Sequence, residues 1–336
     1  MPITSLLPET HFTRLTDADP VLANATMPLR ALYFPLGFPV EIVTNSQAIL
    51  MAADQSWGRF QKGSSHAPLT LRLGVTEDAD DSSDLPPAPV CRIQGHLISN
   101  IADPNNFVIC DIDTGFSFGW VTQRVAEDTA YLRYHLLDAA VLCMIASLRA
   151  APLHAACVSP VGIGMLLCGD SGAGKSSLAF AGARAGWTFT CDDASYLLFD
   201  RADPTVVGNC HQFRLRDSGV QLFPELEGRL ITPRATGKPS IEIPTSDLPE
   251  LNTAGSAIIR YIIFLNRSDV ETPGLFPFAK VKALSWFQQS LVKGSMSAAA
   301  HHENLRNLLQ VDIFELRYTS LDWAIERLNT LANKGS

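Results

Sequence analysis

Gly169-Asp170-Ser171-Gly172-Ala173-Gly174-Lys175-Ser176 reads G-x-x-x-x-G-K-S. Glycines at these places let the backbone curl until successive N–H groups point at phosphate oxygens. The lysine then reaches the β and γ phosphates, and the serine hydroxyl can sit on Mg²⁺. The ligands such a loop calls for are ATP and Mg²⁺. Residues 165–168 before it form a short apolar run, as expected of a buried strand. Ser177 continues into a helical pattern through 185 that stops at Gly186, so the helix N-terminus faces the anion.

Residues 187–191 read as a second strand, ended by Asp192-Asp193. A ten-residue helix carries the chain about 15 Å away, and a five-residue strand returns it by about 16 Å. A right-handed crossover makes the two strands parallel and brings the carboxylates back to the phosphate. Neighbouring strand residues face opposite sides, so Asp192 and Asp193 take different tasks: one meets the metal, the other the attacking group. Residues 153–158 and 163–168 pattern as a hairpin. Centred near 161, it sets His154 opposite 168, where it serves the γ-phosphate, an aspartate or simply the core. Arg214 and Arg216 share a face of strand 212–216 and suit a triphosphate or an acidic acceptor. Arg234 and Lys238 lie in a Gly- and Pro-containing loop over 232–244.

Together, the stretch around His154, the loop 169–176 and Cys191-Asp192-Asp193 resemble the nucleotide-binding core of the HPr serine kinase/phosphorylase family. That family is related to the ATP-dependent phosphoenolpyruvate carboxykinases. Asp192 follows Lys175 by 17 residues, as in the family. The close resemblance covers residues 150–200. A looser one, to HPr-kinase-like proteins with other acceptors, reaches the C-terminus through Phe213-Arg214-Leu215 and Gly237-Lys238. The resemblance implies an α/β (α+β) P-loop kinase core of the HPr kinase/carboxykinase type. It assigns Asp192 as base beside Lys175 and His154, and Asp193 with Ser176 to the metal. Residues Gly169, Asp170, Ser171, Gly172, Ala173, Gly174, Lys175, Ser176 and Ser177, with Arg214 and Lys238, would hold the nucleotide. The family's L-E-x-R-G run is absent; His211-Gln212-Phe213-Arg214-Leu215 stands in its place. The expected activity is therefore γ-phosphate transfer to a hydroxyl of a protein, peptide or small molecule, with HPr itself and the reverse phosphorolysis not implied. A nucleotide-binding regulator without turnover is the alternative, and a carboxykinase-like lyase the third reading.

The whole chain bounds these readings. It has 336 residues and a net charge of −8, which argues against a nucleic-acid partner. None of the seven cysteines forms a C-x-x-C pair, and they read as small core residues of a reducing cytoplasm. The longest uncharged apolar run, 139–148, is too short for a bilayer, so no membrane partner is expected. A homo-oligomer is compatible with the sequence. The patterns divide the chain into a β-rich module over 1–125, a connecting helix over 126–150 and the kinase unit over 151–332. On that helix Tyr131, Tyr134, Leu137, Val141, Met144, Ile145 and Leu148 form one apolar stripe. His301-His302 reads as a solvated helix face.

Overall fold

The computed structural model describes residues 26–76, 84–232, 239–267, 272–289 and 298–334. Strands β1 (Leu29–Tyr33), β2 (Val40–Thr44), β3 (Leu69–Thr76), β4 (Val90–Gln94), β5 (Leu97–Asp103), β6 (Asn106–Asp111) and β7 (Phe116–Thr122) form a sheet of order β1-β2-β3-β7-β6-β5-β4. The expected single strand over 90–98 is a hairpin instead, because Gly95 takes φ 59° and turns the chain. Leu69, Leu71 and Leu73 alternate with Thr70 and Arg72, and their buried face meets helix α1 (Gln47–Trp57) and the helices that follow.

A short helix α2 (Gln123–Glu127) leads into α3 (Thr129–Leu148), in which Leu132–Leu137 form a π-helical segment. The expected helix is thus present, but the wide turn shifts its phase. Leu132, Leu136, Leu137, Val141, Met144 and Ile145 are buried in the core of the first sheet, while Tyr134 rolls out of the stripe. An 18-residue window of this 20-residue helix, with Arg133 and Asp138 included, has a mean hydropathy of 1.3, so the helix is long and apolar enough to cross a membrane. Its apolar face is covered here by the sheet.

The second unit is a sheet flanked by helices on both faces. Its strands are β8 (Ala150–Leu153), β9 (Ala156–Ser159), β10 (Gly164–Cys168), β11 (Thr188–Cys191), β12 (Ser195–Leu198), β13 (Thr205–Gly208), β17 (Ser256–Asn266), β18 (Gly274–Pro277) and β19 (Asp312–Arg317). Strands β14 (Gln212–Leu215), β15 (Ile231–Thr232) and β16 (Ser240–Pro244) make a separate sheet of order β14-β16-β15. Residues 240–244, expected as loop, are thereby a strand, paired residue for residue with β14. Helices α4 (Lys175–Arg184) and α7 (Leu321–Lys334) cover one face of the large sheet, and α5 (Lys280–Gln289) and α6 (Ala298–Leu308) the other. Every residue of β10 is buried, as a strand covered on both faces requires.

In the order β11-β9-β10-β17, the strands before and after α4 are not neighbours. Strand β9 lies between them and is antiparallel to both, so β10 and β11 still run the same way and end at the same edge. Strand β10 is parallel to β17, and β17 to β19. Helix α4 stops where Gly186 adopts φ 94°. Its Gly182 seats an indole: a Cβ there would lie 2.0 Å from Trp187 Cε3.

His301 corrects the expected solvated face. It is buried, its Nε2 donates to the Ala146 carbonyl at 2.8 Å, and its ring packs 5.4 Å from Phe199. Burial lowers its pKa below the ordinary histidine value. The folded chain then binds fewer protons than the unfolded chain below about pH 6.5, so stability falls as pH falls. We expect thermal melts between pH 7.5 and 5.5 to show a larger loss for the wild type than for His301→Gln, which keeps an N–H donor. Equal losses would show that His301 contributes nothing to the acid sensitivity.

Candidate functional site

The glycine-rich loop joins β10 to α4. Gly169, Gly172 and Gly174 take φ of 142°, 99° and 96°, values that favour glycine, and Gly174 caps α4. Ala173 N donates to Asp170 O at 3.0 Å and closes the turn. Lys175 folds back over the loop, its Nζ donating to Gly169 O at 2.6 Å. It is 6% exposed, and burial pulls its pKa down. Ser176 Oγ donates to the Asp192 carbonyl at 3.4 Å.

His154 lies between β8 and β9 rather than within a strand. Ala155 N bonds Leu153 O at 2.9 Å, and that kink parts the expected continuous strand. Strand β8 goes to β12, and β9 pairs with β10 in a register of Leu167 opposite Ala156. The kink aims the imidazole at the loop. Its Nε2 is 3.2 Å from Lys175 Nζ, and its Nδ1 is 3.3 Å from Asp193 Oδ1. A neutral ring with its proton on Nδ1 satisfies both neighbours: Lys175 donates to Nε2, and Nδ1–H donates to Asp193.

The two aspartates part as strand geometry requires. Asp193 turns to His154 and Lys175 and is partly exposed. Asp192 is 6% exposed, and its Oδ2 accepts the Arg214 N–H at 2.7 Å. Burial first, then the charge of Asp193, pushes its pKa up to about 7, against the pull of that N–H. The Arg214 side chain is engaged in the cleft wall. Its Nε pairs with Glu242 Oε1 at 3.2 Å, and Tyr134 Oη donates to the same carboxylate at 2.9 Å. Arg216, just past β14, reaches the loop by donating to Ser171 Oγ. Ser171, Arg216 and Asp170 rim the loop, and Trp286 Nε1 lies 3.4 Å from Asp170 Oδ1. Lys238 and Arg234 lie outside the described residues.

A cleft of about 1060 Å³ opens onto Asp192 and Asp193. Its walls come from the end of α1 (Trp57, Phe60), the π segment (Arg133, Tyr134) and β14 and β16 (Arg214, Glu242). Sequence reasoning missed this wall because it placed Tyr134 in the core stripe. Arg133 and Asp138, charged residues flanking the stripe, were the available signal. It also missed Arg267, which follows the last residue of β17 beside Gly174. An arginine just after the buried apolar run 261–265 marks that position. A further grouping of His96, Asp111 and Asp113 within 4.8 Å lies at hairpin ends of the first sheet, with Asp113 exposed.

Ser176, Asp192 and Asp193 offer hydroxyl and carboxylate oxygens, the hard donors that Mg²⁺ takes. The chain matches no protein-family model and no curated protein. Among solved structures it is similar to the HPr(Ser) kinase/phosphatase of Coxiella burnetii, with 14% identity over 55% of this chain and 95% of that one and a TM-score of 0.32. At that level the residues themselves must carry the argument.

Proposed function

We propose that this protein is a phosphotransferase that moves the γ-phosphate of ATP to a hydroxyl presented in the cleft beside Asp192. One observation carries the reading: Lys175 meets His154, His154 meets Asp193, and Asp193 and its neighbour Asp192 line the cleft. Phosphoryl transfer needs mainly positioning and charge neutralisation, and this arrangement supports both. The loop amides and Lys175 hold the phosphates, with Arg216 as a further cation. Ser176 and Asp193 would hold Mg²⁺, which would supply neutralisation of the phosphate charge. His154 orients Lys175 and Asp193. The acceptor oxygen bonds the γ phosphorus as the bond to the β-phosphate oxygen breaks; ADP leaves, and the hydroxyl proton passes to Asp192.

Lys175→Ala tests the foundation. A charge–phosphate contact is worth roughly 1.5–3 kcal/mol. We expect calorimetry to show Mg·ATP bound at least tenfold more weakly. Unchanged affinity in a folded variant would overturn the assignment. Incubation of the wild type with γ-labelled ATP and cell extract should label an acceptor. Tight binding with no transfer or hydrolysis would favour a regulator instead. His154→Ala should weaken ATP more than ADP if the imidazole serves the γ-phosphate end. Equal weakening of both nucleotides would contradict that role.

A further inference from the structure

The loop has two flanks, and the carboxylates occupy one. In the order β11-β9-β10-β17, with β19 beside β17, Asp192 and Asp193 follow β11. Arg267 follows β17 and Tyr318 follows β19, on the opposite side of β10. Both sit against the start of α4. A Cβ on Gly174 would lie 2.8 Å from Tyr318 Oη, 3.3 Å from Arg267 Cδ and 3.6 Å from Arg267 Nη1. Tyr318 is wholly buried, and its hydroxyl has no hydrogen-bond partner. A buried unpaired hydroxyl calls for a reason. On the face of its ring lies the Arg267 guanidinium, 5.6 Å from the centroid. Arg267 is exposed, and among the described residues no carboxylate pairs with it.

A triphosphate is a linear ligand. If the loop holds its middle and the γ-phosphate faces Asp192 and Asp193, the nucleoside must leave over the other flank. That flank presents a planar guanidinium, backed by an aromatic ring and open to solvent. Guanidinium planes stack on aromatic bases. We propose that Arg267, supported by Tyr318, is the platform for the base of the bound nucleotide. This makes the β17–β19 edge a nucleoside subsite. The inference rests on the phosphate-loop reading and adds to it the place and chemistry of base recognition.

Calorimetry on the full chain with two probes, Mg·ATP and Mg·tripolyphosphate, separates the base from the phosphates. The wild type should bind ATP more tightly than tripolyphosphate. Stacking of a base on a side chain is commonly worth about 1–3 kcal/mol, so Arg267→Ala should weaken ATP about tenfold and leave tripolyphosphate within twofold. Arg267→Lys, which keeps the charge and loses the plane, should behave like the alanine variant. Thermal melts should match the wild type, since Arg267 is exposed. Equal weakening of both probes would make Arg267 a phosphate contact and overturn the proposal. So would ATP affinity unchanged in either variant, or a wild type that binds both probes alike. Failure of the wild type to bind either probe would instead remove the phosphate-loop reading itself.

Discussion

Replacing Asp192 by Asn is expected to lower the proposed phosphoryl transfer by about 10²–10⁴, the usual worth of a general base, and to leave Mg·ATP binding as before. The substitution keeps the size of the side chain, and its carbonyl still accepts the Arg214 N–H that Asp192 Oδ2 accepts at 2.7 Å. What it loses is the capacity to take a proton. The loop, Lys175 and Ser176 are untouched, so nucleotide affinity has no reason to change. Asp193→Asn acts differently. Asp193 faces His154 and Lys175; if it holds Mg²⁺ as proposed, removing its charge should raise the Mg²⁺ concentration needed for half-maximal binding or activity. ATP affinity, Mg²⁺ dependence and γ-phosphate transfer should be measured for both variants side by side. If Asp192→Asn shifts the Mg²⁺ dependence and Asp193→Asn loses only turnover, the roles are exchanged. If neither variant changes any of the three, the pair is structural and phosphotransfer is the wrong reading.

The residues of this site were legible wherever local chemistry dictates local shape. A run of glycines at fixed spacing forces positive φ, and the sequence expectation of a tight turn between strand and helix matches Gly169, Gly172 and Gly174. Asp192 and Asp193 face opposite ways as strand alternation suggested, although they stand just past β11, which ends at Cys191. Less legible was everything set by partners distant in the chain. Nothing local says that β9 inserts between β10 and β11, because antiparallel and parallel neighbours bury the same apolar run. Residues 240–244 looked like loop for want of a partner, and β14 supplies one. One extra residue in the turn at Leu132–Leu137 moved Tyr134 from the core stripe to the Glu242 carboxylate, 108 residues away. His301 was misread for the same reason: helical phase placed it on a surface, and α6 then packed on Ala146 and Phe199.

Phe213→Ala should be among the most destabilising single changes, and it bears on the site. Phe213 is wholly buried and stacks on Phe189, with ring centroids 3.6 Å apart and planes at 24°. Phe180 meets it edge-on at 5.1 Å. The three rings come from β14, β11 and α4. Phe189 stands three residues before Asp192, Phe180 lies on the helix that Lys175 opens, and Phe213 directly precedes the residue whose N–H holds Asp192. The stack is thus the solid contact behind Asp192 and the glycine-rich loop. Truncating a buried phenylalanine costs about 3–5 kcal/mol through lost burial and the cavity left behind. Phe213→Leu, which refills most of that space, should cost clearly less. Denaturant titrations of the two variants read the stability, and Mg·ATP calorimetry under folding conditions reads the site. We expect Phe213→Leu to bind nucleotide normally and to lose turnover only as far as β14 shifts under Asp192. A Phe213→Ala protein as stable as the wild type would show that the sheet of β14 and β16 packs independently of α4 and β11, and that Asp192 is positioned by its own strand alone.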